Sequence, residues 1–363
     1  MRRIVLLGFV VTLLIAGCAP AASPAAPAQP SVSGATAAPS APAPAAAPTA
    51  APVSAAAAAP TGRPLTKVTL AMGYIPNVQF APFYVAQERG YFRDAGLDVN
   101  FNYGMESDLI KLVGTNQLQF MIGSGDQVVL GRSQDIPVRY VMRWYRNFPV
   151  VVFAKADKGI KAPKDLEGKT VGISALAGAS YVAWKALVYA AGIDASKVNL
   201  QVVGYTQVAS VTQNRVDAAL DYSVNGPVQM RLANQPVTVM PVSDYMDLPS
   251  NGLITNDQTI RDHPDLVRAL VQATLRGLKD TLADPDAAFA ASLRAVPEAG
   301  GDQTKVNRAI FDESVKLWQP GSSPLGQSDP TMWTKAAAFM QQTGLVDRAV
   351  PATDLFSNQF VTG

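Results

Sequence analysis

Two reactive residue types are nearly missing from this chain of 363 residues. It has one cysteine, Cys18, and one histidine, His263. A single thiol forms no intramolecular disulfide, and beyond residue 18 there is no Cys nucleophile and no Cys metal site. The lone imidazole stands at Asp262-His263-Pro264, a helix entrance, where it reads as a cap or surface residue. A Ser-His-Asp triad or a His-based metal centre therefore has little to work with, and no metal site is expected. Charge of one sign is also scarce. The net charge is +2, too weak a field to argue for nucleic acid, and no basic block is interleaved with aromatics. The GxxxxGK[ST], GxSxG and HExxH signatures are absent.

The first residues set the compartment. Arg2-Arg3 is a positive start, and residues 4–15 are an apolar run too short to span a membrane comfortably. It ends in Ile15-Ala16-Gly17-Cys18, which resembles a bacterial lipobox. Residues 1–18 are accordingly expected to be a lipoprotein signal peptide, with Cys18 lipidated and the chain anchored to the cell membrane on its extracytoplasmic face. Residues 19–64 are mostly Ala and Pro, with no charge before Arg63. Proline recurs too often for a helix to propagate, so a disordered tether is expected.

After the tether, apolar strand patterns alternate with helical ones. Residues 67–72, 97–103, 119–122 and 138–142 read as strands, and 82–90, 107–114 and 126–134 as helices, with Ser107 a plausible cap. A second series has strands at 150–155, 170–174, 200–203, 218–220 and 237–241, with helices at 180–191, 208–215 and 228–234. Residues 253–255 could lead back, and everything after Arg261 reads as helix. This pattern predicts an α/β fold of two lobes, each a mostly parallel sheet flanked by helices. Lobe one would be residues 65–151 plus 252–363, and lobe two residues 152–251. Two crossings would make a hinge.

Ligands of open parallel sheets bind beyond the carboxyl ends of the strands. Tyr74, Asn77 and Phe80 fall there after the first strand, Ser124 and Asp126 after the third, and Trp144 and Tyr145 after the fourth. In lobe two the same edge carries Tyr181, then Tyr205 and Gln207, then Tyr222 and Asn225. Rings recur from loop to loop, and two such edges could clamp a flat ligand by stacking. Each ring could equally be half-buried packing, and Gly123-Ser124-Gly125-Asp126 could be a turn and cap or an anion site. Trp184, one turn after Tyr181, reads as core. In the stretch YIPNVQFAPFYVAQERGYF, Pro76-Asn77 breaks the strand. Tyr74, Asn77 and Phe80 are expected at the cleft, with Phe83, Tyr84, Tyr91 and Phe92 packed inward.

The run GYIPNVQFAPFYVAQERGYFRDAGLDV, with GIKAPKDLEGKTVGIS, NRVDAALDYSVN and SNGLITND further on, resembles substrate-binding proteins akin to the thiamine-pyrimidine synthase of fungi. The resemblance covers nearly all of the chain after the tether. It implies a type II periplasmic-binding-protein fold that closes on a small ligand and delivers it to an ABC permease. The family's enzyme branch makes the thiamine pyrimidine with a Cys-rich segment, a His and pyridoxal phosphate; those cysteines are missing here, so no cofactor and no enzyme activity are expected. Formylaminopyrimidine receptors of the family typically carry an acid after the Asn that corresponds to Asn225, where this chain has Gly226. The phrases QFAPFYVA, GSGDQV, MRWY, GASY, YTQVA and SNGLITN look closer to bacterial lipoproteins assigned to riboflavin uptake. That resemblance implies riboflavin as ligand, with Tyr74, Phe80, Trp144, Tyr145, Tyr181 and Tyr222 as stacking walls. Asn77, Ser124, Asp126, Gln207 and Asn225 would be polar partners.

Overall fold

The computed structural model describes residues 64–362 apart from 322. The leader with Cys18, and the Ala/Pro-rich segment up to residue 63, lie outside the described residues.

The first half runs β1 (Thr66–Met72), α1 (Ala81–Glu88), α2 (Tyr91–Asp94), β2 (Leu97–Tyr103), α3 (Glu106–Gly114), β3 (Phe120–Ser124), α4 (Gly125–Ser133) and β4 (Val138–Arg143). The second runs β5 (Val150–Lys155), β6 (Thr170–Ile173), α5 (Gly178–Ala191), β7 (Asn199–Val202), α6 (Gln207–Thr212), β8 (Ala218–Tyr222), α7 (Gly226–Leu232) and β9 (Val237–Pro241). Then come β10 (Asn251–Asn256) and the helices α8 (Asp257–Asp262), α9 (Pro264–Ala283), α10 (Pro285–Ala295), α11 (Thr304–Trp318), α12 (Pro330–Gln342) and α13 (Ala352–Leu355).

Two five-stranded sheets result, in the orders β2-β1-β3-β10-β4 and β7-β6-β8-β5-β9. Strands buried on both faces need near-continuous apolar runs. In β1, Leu70, Ala71 and Met72 are fully buried, and in β5 all of Val150 to Ala154 are. Each sheet is mixed, with four strands running one way and one inserted against them, β10 in the first and β5 in the second. The inserted strand is in each case the one that arrives from the other sheet. β5 begins with Val150 opposite Tyr222, the last residue of β8, and β10 begins with Asn251 opposite Ser124, the last of β3. Both crossings therefore enter at the carboxyl edge of the receiving sheet, which brings the two carboxyl edges face to face.

Small differences from the predicted elements have local causes. The helix expected from Ser107 begins at Glu106, and no side chain caps it, because the N-cap position is held by Met105, which has no oxygen to accept the free N–H groups; the Glu106 carboxylate turns toward Ser124. Pro82 is the second residue of α1 and Pro264 the first of α9, both in a first turn where a fixed φ and a missing N–H cost little. These two helices pack tightly. A Cβ on Gly277 of α9 would stand 2.2 Å from the Pro82 carbonyl oxygen and 2.8 Å from the Ala86 Cβ. The C-terminal helices touch both halves. α9 and α10 lie on α1, α11 also contacts α7, and Phe339 of α12 packs against Tyr189 of α5. Among the described residues no helix is long and apolar enough to cross a membrane. His263 is exposed at the junction of α8 and α9.

Candidate functional site

The facing edges enclose a cavity of about 870 Å³, the space at its mouth included, lined from both sheets.

Its floor is set by the turn after β1. The Asn77 side chain accepts from the Gln79 backbone N–H at 3.0 Å, closing an Asx turn that caps the short helical turn Val78–Phe80 leading into α1. The turn aims Gln79 inward, where it is 4% exposed. Its Nε2 donates to Asn225 Oδ1 at 2.7 Å, and its Oε1 accepts from the Tyr145 hydroxyl at 3.1 Å. Asn225 follows β8, so this bond joins the two halves. Two more contacts do the same. Tyr222 donates its hydroxyl to Asn251 Oδ1 at 3.0 Å, and the rings of Tyr74 and Tyr205 meet edge to face at 5.0 Å.

The aromatic residues divide into two groups. Trp144 lies between Phe80, stacked at 5.5 Å and 21°, and Trp318, stacked at 6.3 Å and 20°, with Phe83 edge-on. Both faces of that indole are taken, so it offers a ligand only an edge. Tyr74 and Tyr222 are partly open and Tyr205 is 45% exposed; these are the rings with free face. Burial raises the Tyr74 and Tyr222 phenols well above their ordinary value, so both stay protonated and able to donate.

Two acids face the cavity from opposite sides. Glu106, the first residue of α3, accepts at Oε2 from the Ser124 hydroxyl at 2.6 Å and the Ser124 N–H at 3.2 Å, and at Oε1 from Asn251 Nδ2 at 3.3 Å. Desolvation, helped by the nearby Asp126, pushes it up to about 7 against those three donors. Asp221, at the end of β8, accepts from the backbone N–H groups of Tyr222 at 2.7 Å and Gly226 at 3.0 Å. Desolvation pushes it up to about 6.

Of the residues singled out in the sequence, Tyr74, Phe80, Trp144, Tyr145, Tyr205, Gln207, Tyr222 and Asn225 line the cavity. Four others do not. Asn77 is spent on its turn. Ser124 is fully buried and donates to Glu106. Asp126 is fully buried and accepts from Gln127 Nε2 at 2.7 Å. Tyr181 packs against the hydrophobic cluster that holds Trp184. Gln79, Glu106, Asp221 and Asn251, none of them among the expected ligand residues, also line the cavity. By its position alone Glu106 is an acid favourable at a helix start. Asn251 sits inside the run SNGLITND, whose polar residues gave no sign of which faced inward.

Comparison with known proteins agrees with this geometry. The model of the family described as NMT1/THI5 like matches residues 77–288. The chain is 39% identical to the riboflavin-binding protein RibY of Chloroflexus aurantiacus over 377 aligned positions, covering 99% of this chain and 98% of that one. It is 27% identical to the formylaminopyrimidine-binding protein of Halalkalibacterium halodurans, over 81% of this chain and 90% of that one. Among solved structures, the periplasmic aliphatic sulphonate-binding protein SsuA of Escherichia coli superposes with a TM-score of 0.65 at 10% identity, over 80% of this chain and 92% of that one. A Candida albicans protein described as having the generic periplasmic binding protein fold superposes with a TM-score of 0.61 at 16% identity, over 81% and 97%. The fold is that of periplasmic solute-binding proteins.

Proposed function

The chain belongs to the NMT1/THI5-like family, and on that premise we propose that it is the lipid-anchored, extracytoplasmic binding component of an ABC importer, with riboflavin as its ligand. The observation that carries this is the cleft between the two sheets, which has free tyrosine faces at Tyr74, Tyr205 and Tyr222 beside polar groups. The isoalloxazine is flat and neutral and suits those faces. Its pyrimidine edge suits Asn251 and Gln207, and the ribityl hydroxyls suit Asn225 and the uncapped start of α5 at Ala177. Lobe closure over the ring supplies the state that a permease and its ATPase recognise. Residues 1–18 with Cys18 supply the anchor, and residues 19–64 the reach.

The second reading, a receptor for formylaminopyrimidine, draws on the 27% identical relative and on the acids Glu106 and Asp221, which suit an amine. An acid after Asn225 has no room here, since a Cβ on Gly226 would stand 2.7 Å from the Phe153 ring. A pyrimidine-forming enzyme is disfavoured, because no Lys, His or Cys is among the residues lining the cavity.

Calorimetric titrations with riboflavin and with formylaminopyrimidine separate the two receptors. Mass spectrometry of the small molecule that co-purifies with the chain gives an independent answer. The account expects riboflavin to bind and the pyrimidine to bind weakly or not at all; the reverse order selects the second reading.

A further inference from the structure

Apart from phenols, every ionisable group that lines the cleft is an acid: Glu106 from one side and Asp221 from the other. No Lys, Arg or His is among the lining residues. Helix N-termini are the ordinary alternative to a cation for holding an anion, and here two of them are already occupied by the chain itself. At α4 the Ser124 N–H is bonded to Glu106 Oε2, and at α7 the Gly226 N–H is bonded to Asp221 Oδ2. Behind Glu106 a third acid, Asp126, is fully buried, and its Oδ1 has no partner among the described residues. Three helix starts at the cleft, those of α3, α5 and α6, carry no side-chain cap. Each helix end carries about half a positive charge, less than the full charge of either carboxylate, and the α3 end bears Glu106 itself.

Resting on the flavin reading above, we propose that Glu106 and Asp221 make the cleft a filter against anionic ligands, so that it takes the free heteroaromatic alcohol and rejects the phosphate ester of the same molecule. A phosphate group brought into the cleft meets like charge from both walls in a medium of low dielectric, with no cation to offset it. The stacking surfaces do not distinguish the two ligands, since the ring is the same. Discrimination therefore resides in the acids. It follows that any phosphorylated form reaching the cell surface needs hydrolysis of its phosphomonoester before capture.

The test uses the full-length chain and two probes that share one chromophore, riboflavin and riboflavin 5′-phosphate. Both are titrated by flavin fluorescence at pH 8, where Glu106 (about 7) and Asp221 (about 6) are ionised. The expected result is weaker binding of the phosphate ester, by about tenfold or more. Glu106→Gln and Asp221→Asn are each expected to narrow the ratio between the probes. Asp221 holds the start of α7, so a folding defect in Asp221→Asn would leave Glu106→Gln to carry that arm. Equal or tighter binding of the phosphate ester by the wild type overturns the inference and leaves the flavin reading standing. An unchanged ratio in folded Glu106→Gln overturns the assignment to the acids. Binding of neither probe ends the flavin reading, and the inference with it.

Discussion

Gln79 and Asn225 come from opposite halves of the molecule and meet through one hydrogen bond of 2.7 Å, Nε2 to Oδ1. Both are buried, at 4% and 7% exposure, and the Tyr145 hydroxyl completes the set on Gln79 Oε1. Removing Gln79 strands two buried polar groups, which costs about 1–3 kcal/mol. Gln79→Ala is thus expected to lower the thermal midpoint and to speed ligand release, because the lost bond is one that holds the halves together. Asn225→Ala should do the same. The double variant should fall short of the sum, since both remove one interaction. Thermal melts and stopped-flow dissociation check this; additive effects would mean that the two residues act separately.

The two groups of rings should respond differently to truncation. Trp144 is enclosed by Phe80, Phe83 and Trp318, so Trp144→Ala is expected to cost about 3–5 kcal/mol of stability. Tyr205 is 45% exposed. Tyr205→Ala should leave stability within about 1 kcal/mol and weaken flavin binding about two- to tenfold through lost stacking. Urea unfolding and fluorescence titration of both variants measure the contrast.

Stability should fall as pH rises across the neutral range. Glu106 is raised to about 7, and Asp126 and Asp221 to about 6, all chiefly by desolvation. An acid whose folded value lies above its unfolded one stabilises the fold while protonated. That contribution is full below about 4, the ordinary carboxyl range, and is lost as pH climbs through about 6 to 7. The groups around Glu106 are Asp126, the phenols of Tyr205 and Tyr222, and the neutral Ser124 and Asn251. Around Asp221 are the Tyr74 phenol and Asn225. No cation intervenes in either set. Asp257, lowered by Arg132 and Arg139 despite partial burial, acts in the opposite sense, and only below the ordinary aspartate value. The thermal midpoint is expected to be higher at pH 5 than at pH 8, and Glu106→Gln should flatten that slope.

The contact of α9 on α1 depends on Gly277, which has no room for a Cβ against the Pro82 carbonyl. Gly277→Ala is expected to destabilise the fold by about 1–3 kcal/mol through overpacking, although alanine is the better helix former. A gain in the urea midpoint would show that the helices can separate without cost.

The strands were legible because their burial on both faces leaves runs such as KVTLAM and VVVFAK. The insertion of β5 and β10 against their neighbours was not legible, since apolar runs carry no direction. The rings that reach the cavity could be named from their place after strands. Trp144 shows what that rule omits: its position is right, yet both faces are taken by Phe80 and by Trp318, which is 174 residues further along the chain. The acids were hidden for a different reason. Glu106 at a helix start and Asp221 beside a turn have ordinary local roles, and only the facing of two distant edges makes them a pair across a cleft.

The central claim is that a flavin ring sits against Tyr74, Tyr205 and Tyr222 between the two halves. Equilibrium titration of riboflavin fluorescence with the full-length chain tests it most directly. The account expects saturable quenching at one site per chain, weakened in Tyr205→Ala. Unquenched fluorescence at every protein concentration, with no shift of the thermal midpoint on adding riboflavin, would contradict it.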